Sequence, residues 1–65
     1  MTEYTVHFQK GSRVGARSLR MEHVEALNSS QALELAKLNF HDFRSQGYRI
    51  VRVDHFDDDG RIVVD

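Results

Sequence analysis

The chain contains no cysteine and no proline and only four glycines. No apolar run approaches the ~20 residues of a membrane-spanning helix, or the shorter apolar core of a secretory leader. Each absence narrows the field. Without cysteine there is no disulfide framework and no thiolate metal knuckle, so stability comes from packing, and a cytoplasmic setting fits best. Without proline or a low-complexity linker, the elements follow one another through short connections, and one domain spans residues 1–65. No membrane association is expected.

What is there is the composition of a folded domain: 40% hydrophobic and 29% charged residues in 65. A chain this short buries only about 60% of the surface it exposes when unfolded, so the core is small and the architecture simple. The net charge of −1 excludes both a uniformly basic nucleic-acid coat and an acidic nucleic-acid mimic. The charge is unevenly placed, however. Lys10, Arg13, Arg17 and Arg20 face only Glu3 in the first third, and Glu22, Glu25, Glu34 and Asp42 face Lys37 in the next. Arg44, Arg49 and Arg52 then form a basic stretch, and Asp54, Asp57, Asp58, Asp59 and Asp65 make the tail acidic apart from Arg61. Seven of the nine bases are arginine, a bias toward the planar, bidentate contacts of interfaces.

Tyr4, Val6 and Phe8 alternate with Thr5, His7 and Gln9, which predicts a half-buried strand over Glu3 to Gln9. A basic loop from Lys10 to Ala16, bracketed by Gly11 and Gly15, leads to a second strand over Arg17 to Ala26. There the apolar phase changes between Leu19/Met21 and Val24/Ala26, which predicts a bulge near Glu22 and His23. Asn28 with Gln31 has the spacing of a capping box, opening one amphipathic helix that runs to Arg44. Its apolar stripe is Ala32, Leu35, Ala36, Phe40 and Phe43, with Leu33 at the margin; Asn39 in the stripe and Leu38 on the polar side break the pattern. Gly47 stops the helix, Tyr48 to Phe56 is the third strand, and Asp59-Gly60 signals a tight hairpin into a fourth over Arg61 to Val64. The expected fold is α+β, strand–strand–helix–strand–strand, with a single helix on one face of a four-stranded, mainly antiparallel sheet ordered 2-1-3-4. A right-handed crossover placing strand three parallel beside strand two is the alternative.

One helix shields one face, which leaves the other to be explained. Tyr48 and Ile50 share one parity with Arg52 on the third strand, while Val51 and Val53 share the other with Arg49. Two readings compete: a bulge that returns all four apolar residues to the helix side, or a central strand with scattered exposed apolar groups, on the one hand, and a second face covered by a partner on the other. In the second reading Arg49 and Arg52 rim an apolar centre that includes Tyr48, and Arg13 and Arg17 on the loop extend it. A homodimer would use such a face equally well. The competing assignment for Arg49 and Arg52 is pairing with Glu22, Glu25 or Asp54.

Chemical sites are scarce. His7, His23, His41 and His55 include no pair at helical i, i+4 spacing, so no metal site is expected. Asp57-Asp58-Asp59-Gly60 resembles a calcium loop, but with Gly60 at the turn position the first ligand would be His55 and the closing glutamate would lie past residue 65. No serine, cysteine or lysine sits in a nucleophile context, and no glycine-rich turn cradles phosphate, so neither an enzyme nor a cofactor is expected. Direct nucleic-acid binding is disfavoured: only Tyr48 and Phe56 remain as stacking platforms, and the acidic tail repels phosphate.

Val24-Glu25-Ala26-Leu27-Asn28-Ser29-Ser30-Gln31-Ala32-Leu33-Glu34-Leu35-Ala36 and Gly47-Tyr48-Arg49-Ile50-Val51-Arg52-Val53 together resemble two groups of small phage proteins. The first, resembled over nearly the whole chain, is the subtype I-F anti-CRISPR proteins, in which an antiparallel sheet cradles one helix and the protein binds the Cas surveillance complex. The second, resembled over Arg20 to Val53, is the small coliphage inhibitor of host RNA polymerase. That family carries two polymerase-contacting arginines in the strand after its helix; Arg52 matches one, and Asp54 stands at the other with opposite charge. The resemblance therefore implies first an anti-CRISPR, and second a polymerase inhibitor. Either is a non-enzymatic phage or mobile-element protein that occupies a site on a large host protein or ribonucleoprotein complex in the bacterial cytoplasm. The remaining alternative is a homodimeric regulatory or nucleic-acid-binding bacterial protein.

Overall fold

Strict alternation makes the first strand the backbone of the sheet. In a computed structural model that describes residues 1–11 and 19–65, β1 (Thr2–Lys10) buries Tyr4, Val6 and Phe8 and turns Thr5, His7 and Gln9 to the other face. It is flanked on both sides. β2 (Leu19–Ala26) pairs antiparallel along one edge and β3 (Tyr48–Phe56) along the other, while the short β4 (Ile62–Val64) pairs antiparallel with the far end of β3. The order is β2-β1-β3-β4, so the parallel crossover is not formed. The expected loop from Lys10 to Ala16, and with it Gly15, Arg13, Arg17 and the predicted start of the second strand, lies largely outside the described residues.

Asn28 caps the first helix, α1 (Ser29–Asn39): its Oδ1 accepts from the Gln31 N–H at 2.8 Å, and Gln31 Oε1 accepts from the Leu27 N–H at 2.7 Å. Two orphan amides are thereby satisfied, one residue upstream of the usual reciprocal pattern. The helix does not run on to Arg44. It breaks at Phe40 (φ −117°, ψ 33°), and a second short helix, α2 (His41–Ser45), follows. The break turns the chain so that Phe40 and Phe43 both reach Phe8, at ring separations of 6.1 and 5.3 Å, while stacking on each other at 5.9 Å. It also explains Asn39, which the continuous-helix pattern put in the apolar stripe: at the end of α1 it is exposed. Leu38 points to solvent.

The core is the inner face of β1 with Val24, Ala26, Ala32, Ala36 and Tyr48, against which Leu35, Phe40, Phe43, Ile50 and Val53 are partly buried. Buried alanines on α1 let the helix sit close to the sheet, and the aromatic side chains of the chain reversal fill the wider end.

Two local expectations fail for identifiable reasons. The predicted bulge in β2 does not occur, since β2 pairs with β1 without interruption from Ala26 to Leu19. Its phase change is real: Leu19 and Met21 lie on the outer face and are exposed, and the inner phase at that end holds Arg20, whose guanidinium lies 5.8 Å from the Phe43 ring. In the hairpin, Asp59 does not take positive φ; Gly60 alone does, at 79°. The turn closes instead through Gly60 N–H to the Asp57 carbonyl at 3.0 Å, with the Asp57 carboxylate accepting from the Asp59 and Arg61 amides at 2.9 Å. This is a three-residue loop with glycine in the left-handed position, held by an aspartate side chain.

Candidate functional site

The bulge that the second strand lacks is found in the third. His7 is opposite Arg52 and Phe8 opposite Ile50, so Val51 is the extra residue. It shifts the side-chain phase of β3 midway, returning Tyr48 and Ile50 on one side of it and Val53 on the other to the core. Val51 itself stays exposed. Of the two readings of β3, the bulge therefore accounts for three of the four apolar residues, and no apolar centre forms between Arg49 and Arg52 on the outer face.

What lies on that outer face is a polar cluster. Asp54, only 8% exposed, accepts from His7 Nε2 at 2.9 Å and from Arg52 Nε at 2.7 Å. A buried carboxylate needs such partners, because its desolvation would otherwise exceed what the strand gains by folding. Arg52 is thus committed to Asp54, one of the pairings anticipated for it. His55, on the helix side, packs on Tyr4 at 5.1 Å and bonds Asp65 at 2.8 Å.

The unfinished surface is the edge of β3. β1 pairs with it along nearly its whole length, but β4 covers the opposite edge only at Asp54, His55 and Phe56, with one further bond from the Asp65 N–H to the Val53 carbonyl at 2.9 Å. Among the described residues nothing pairs with that edge from Tyr48 to Arg52. The helices overhang it and leave a groove of about 910 Å³. Leu33, Lys37, His41 and Arg44 line it from the helices, Arg49, Val51 and Arg52 from the strand, and Tyr48 closes one end; no carboxylate is among the lining residues. Lys37, Arg44 and Arg49 are exposed and form no ion pair with the described residues.

Of the expected contact residues, Tyr48, Arg49 and Arg52 therefore come together along this groove, with Tyr48 largely buried against Phe43 at 5.7 Å and beneath the Lys10 ammonium at 5.9 Å. Arg13 and Arg17 lie outside the described residues. Sequence reasoning missed Lys37, His41 and Arg44. They occupy the polar face of a helical pattern, where charge ordinarily signals solvation, and nothing local reveals that a bare strand edge lies beneath them. Among the described residues no three His, Asp or Glu side chains converge as metal ligands, and no helix is long and apolar enough to cross a membrane. Comparison with family models, curated proteins and solved structures returns no match for this chain.

Proposed function

We propose that the chain is a non-enzymatic protein-binding inhibitor that uses the basic groove along β3 to occupy a site on a large host nucleic-acid machine. The observation that carries this reading is the concentration of cations, Lys37, Arg44 and Arg49, that pair with none of the described residues, around a strand edge that no described residue covers and with no carboxylate among the described lining residues. Like charges crowded at one place are costly unless something of opposite sign meets them, and arginine beside partly apolar backbone is the composition of an interface centre. The resemblance to subtype I-F anti-CRISPR proteins makes the Cas surveillance complex in the bacterial cytoplasm the first target and RNA polymerase the second. A phage or mobile-element origin goes with that resemblance. Direct nucleic-acid binding is the weaker reading, since Tyr48 is buried and, among the described lining residues, the His41 imidazole is the one exposed ring on which a base could stack.

The test is a pull-down from bacterial lysate with the tagged chain, with and without nuclease. Retention of one large protein complex after nuclease treatment supports the proposal. Capture of nucleic acid alone, lost on nuclease treatment, overturns it.

A further inference from the structure

We propose that the groove takes an acidic, extended polypeptide segment, which adds to the sheet as a further strand along the edge of β3 from Tyr48 to Arg52. The inference rests on the protein-binding reading above and specifies its mode and the chemistry of the partner.

Three observations converge. First, an unpaired edge of an antiparallel sheet is a template for backbone pairing, and five residues of strand, about 17 Å, suffice for a recognition segment. Second, a strand laid there has cations on both of its faces: Lys37 and Arg44 above it from the helices and Arg49 below it from the outer side of the sheet, with Arg52 beside it already engaged by Asp54. A carboxylate on either face of the segment therefore meets a cation, with Leu33 as the apolar contact on the helix side. Third, the first rung of such a strand is already occupied by an acidic residue. The Asp65 N–H bonds the Val53 carbonyl at 2.9 Å, and its carboxylate bonds His55 Nδ1 at 2.8 Å. Beyond Val53, from Arg52 to Tyr48, no described residue pairs with this edge.

A second copy of the chain fits less well. Pairing β3 with itself in antiparallel fashion brings Lys37, Arg44, Arg49 and Arg52 of both copies to one seam, and like charges facing each other across strands are destabilising. A single-stranded nucleic acid satisfies the cations but not the row of backbone amides and carbonyls, and among the described lining residues it finds one exposed ring, His41, to stack on.

Fluorescence anisotropy with the full chain tests the proposal. The probe is a dye-labelled octapeptide in which Glu alternates with Val. Its comparators are the same peptide with Gln for Glu, two versions N-methylated at alternate residues in opposite phase, and a short oligothymidylate. Strand addition predicts that the acidic peptide binds, that the Gln version binds at least tenfold more weakly, and that one N-methyl phase abolishes binding while the other retains it. The double variant Lys37→Glu/Arg44→Glu, both sites being exposed and free of ion pairs with the described residues, is expected to lose at least tenfold in affinity with an unchanged melting temperature. Equal binding of both N-methyl phases and the parent peptide overturns strand addition. Equal binding of the Gln peptide overturns the acidic specificity, and tighter binding of oligothymidylate than of any peptide reassigns the groove to nucleic acid. Self-association of the parent chain that Lys37→Glu/Arg44→Glu strengthens rather than abolishes supports the seam argument; self-association that the same variant abolishes makes a second copy the occupant and overturns the proposal. If lysate capture fails while the acidic peptide binds, the inhibitor reading falls and the groove assignment stands. If capture succeeds and no peptide binds, the groove assignment falls alone.

Discussion

The two ends of β3 belong to one continuous strand and end up in opposite conditions. From Asp54 to Phe56 the strand has a neighbour on each side, and its buried carboxylate is held by His7 and Arg52. From Tyr48 to Arg52 it has β1 on one side and an overhung, cation-lined groove on the other. Both arginines of the strand lie in this second stretch, but the charge of Arg52 is taken up by Asp54, whereas Arg49 pairs with none of the described residues. The lesson is that an arginine counted as a binding residue must first be checked for an internal debt: Arg52 has one, and Arg49 does not.

The comparison breaks most readily at its foundation. Phe8 is fully buried and supports Phe40 and Phe43, which hold the helices over the groove. Phe8→Ala is expected to cost about 3–5 kcal/mol and to unfold so small a domain, as read by thermal or urea melting. The half-buried Phe40 is expected to cost less on truncation, and a Phe40→Ala variant more destabilised than Phe8→Ala would show that the helix break, and not the strand, organises the core.

In the closed half, Asp54→Ala strands the two donors it now satisfies. A loss of about 1–3 kcal/mol is expected from urea titration. Arg49→Ala in the open half is its counterpart: within about 0.5 kcal/mol of the parent in stability, since nothing internal depends on it. If the two substitutions destabilise equally, the distinction between spent and free charge is wrong.

Deleting Val51 sharpens the comparison at the boundary between the halves. Because Val51 is the extra residue opposite His7 and Phe8, its removal leaves every other pairing in place and restores regular alternation from Ile50 to Arg52. The shortened chain is expected to fold with a change of about 1 kcal/mol, an unusual tolerance for a deletion inside a strand. Global unfolding on deletion would mean that the bulge is required for the fold and is not a local feature of the edge.

Much of this architecture was legible from the residues. Tyr4-Val6-Phe8, the Asn28 cap, Gly47 and Gly60 each act through local stereochemistry or a two-residue period, so the strands and the start of α1 follow from short-range signals, while the strand order was the favoured one of two topologies that those signals left open. Gly47 takes φ 95° where the chain leaves α2. The helix break at Phe40 was not legible, because no glycine or proline marks it; it comes from the demand that two phenylalanines reach one partner on β1. Only the misfit of Asn39 hinted at it. A bulge was expected in β2, where none forms, and was one of the competing readings of β3, where one does, since a phase change in sequence looks the same whether the strand bulges, as at Val51, or exposes apolar residues, as at Leu19 and Met21. The groove was hidden for a different reason. It exists because β4 is only three residues long and the helices extend past it, a relation between distant segments that no single stretch of sequence records.

The central claim, that the uncovered half of β3 with its free cations is the binding surface, is tested most directly by the affinity of Arg44→Ala/Arg49→Ala for the complex the parent chain captures. Isothermal titration against the purified complex, with a melting curve beside it, is the measurement. A loss of more than about 2 kcal/mol in binding with an unchanged melting temperature is the predicted result. Parental affinity in a folded variant would contradict the account and move the search to the exposed apolar corner of Phe56, Ile62 and Val64.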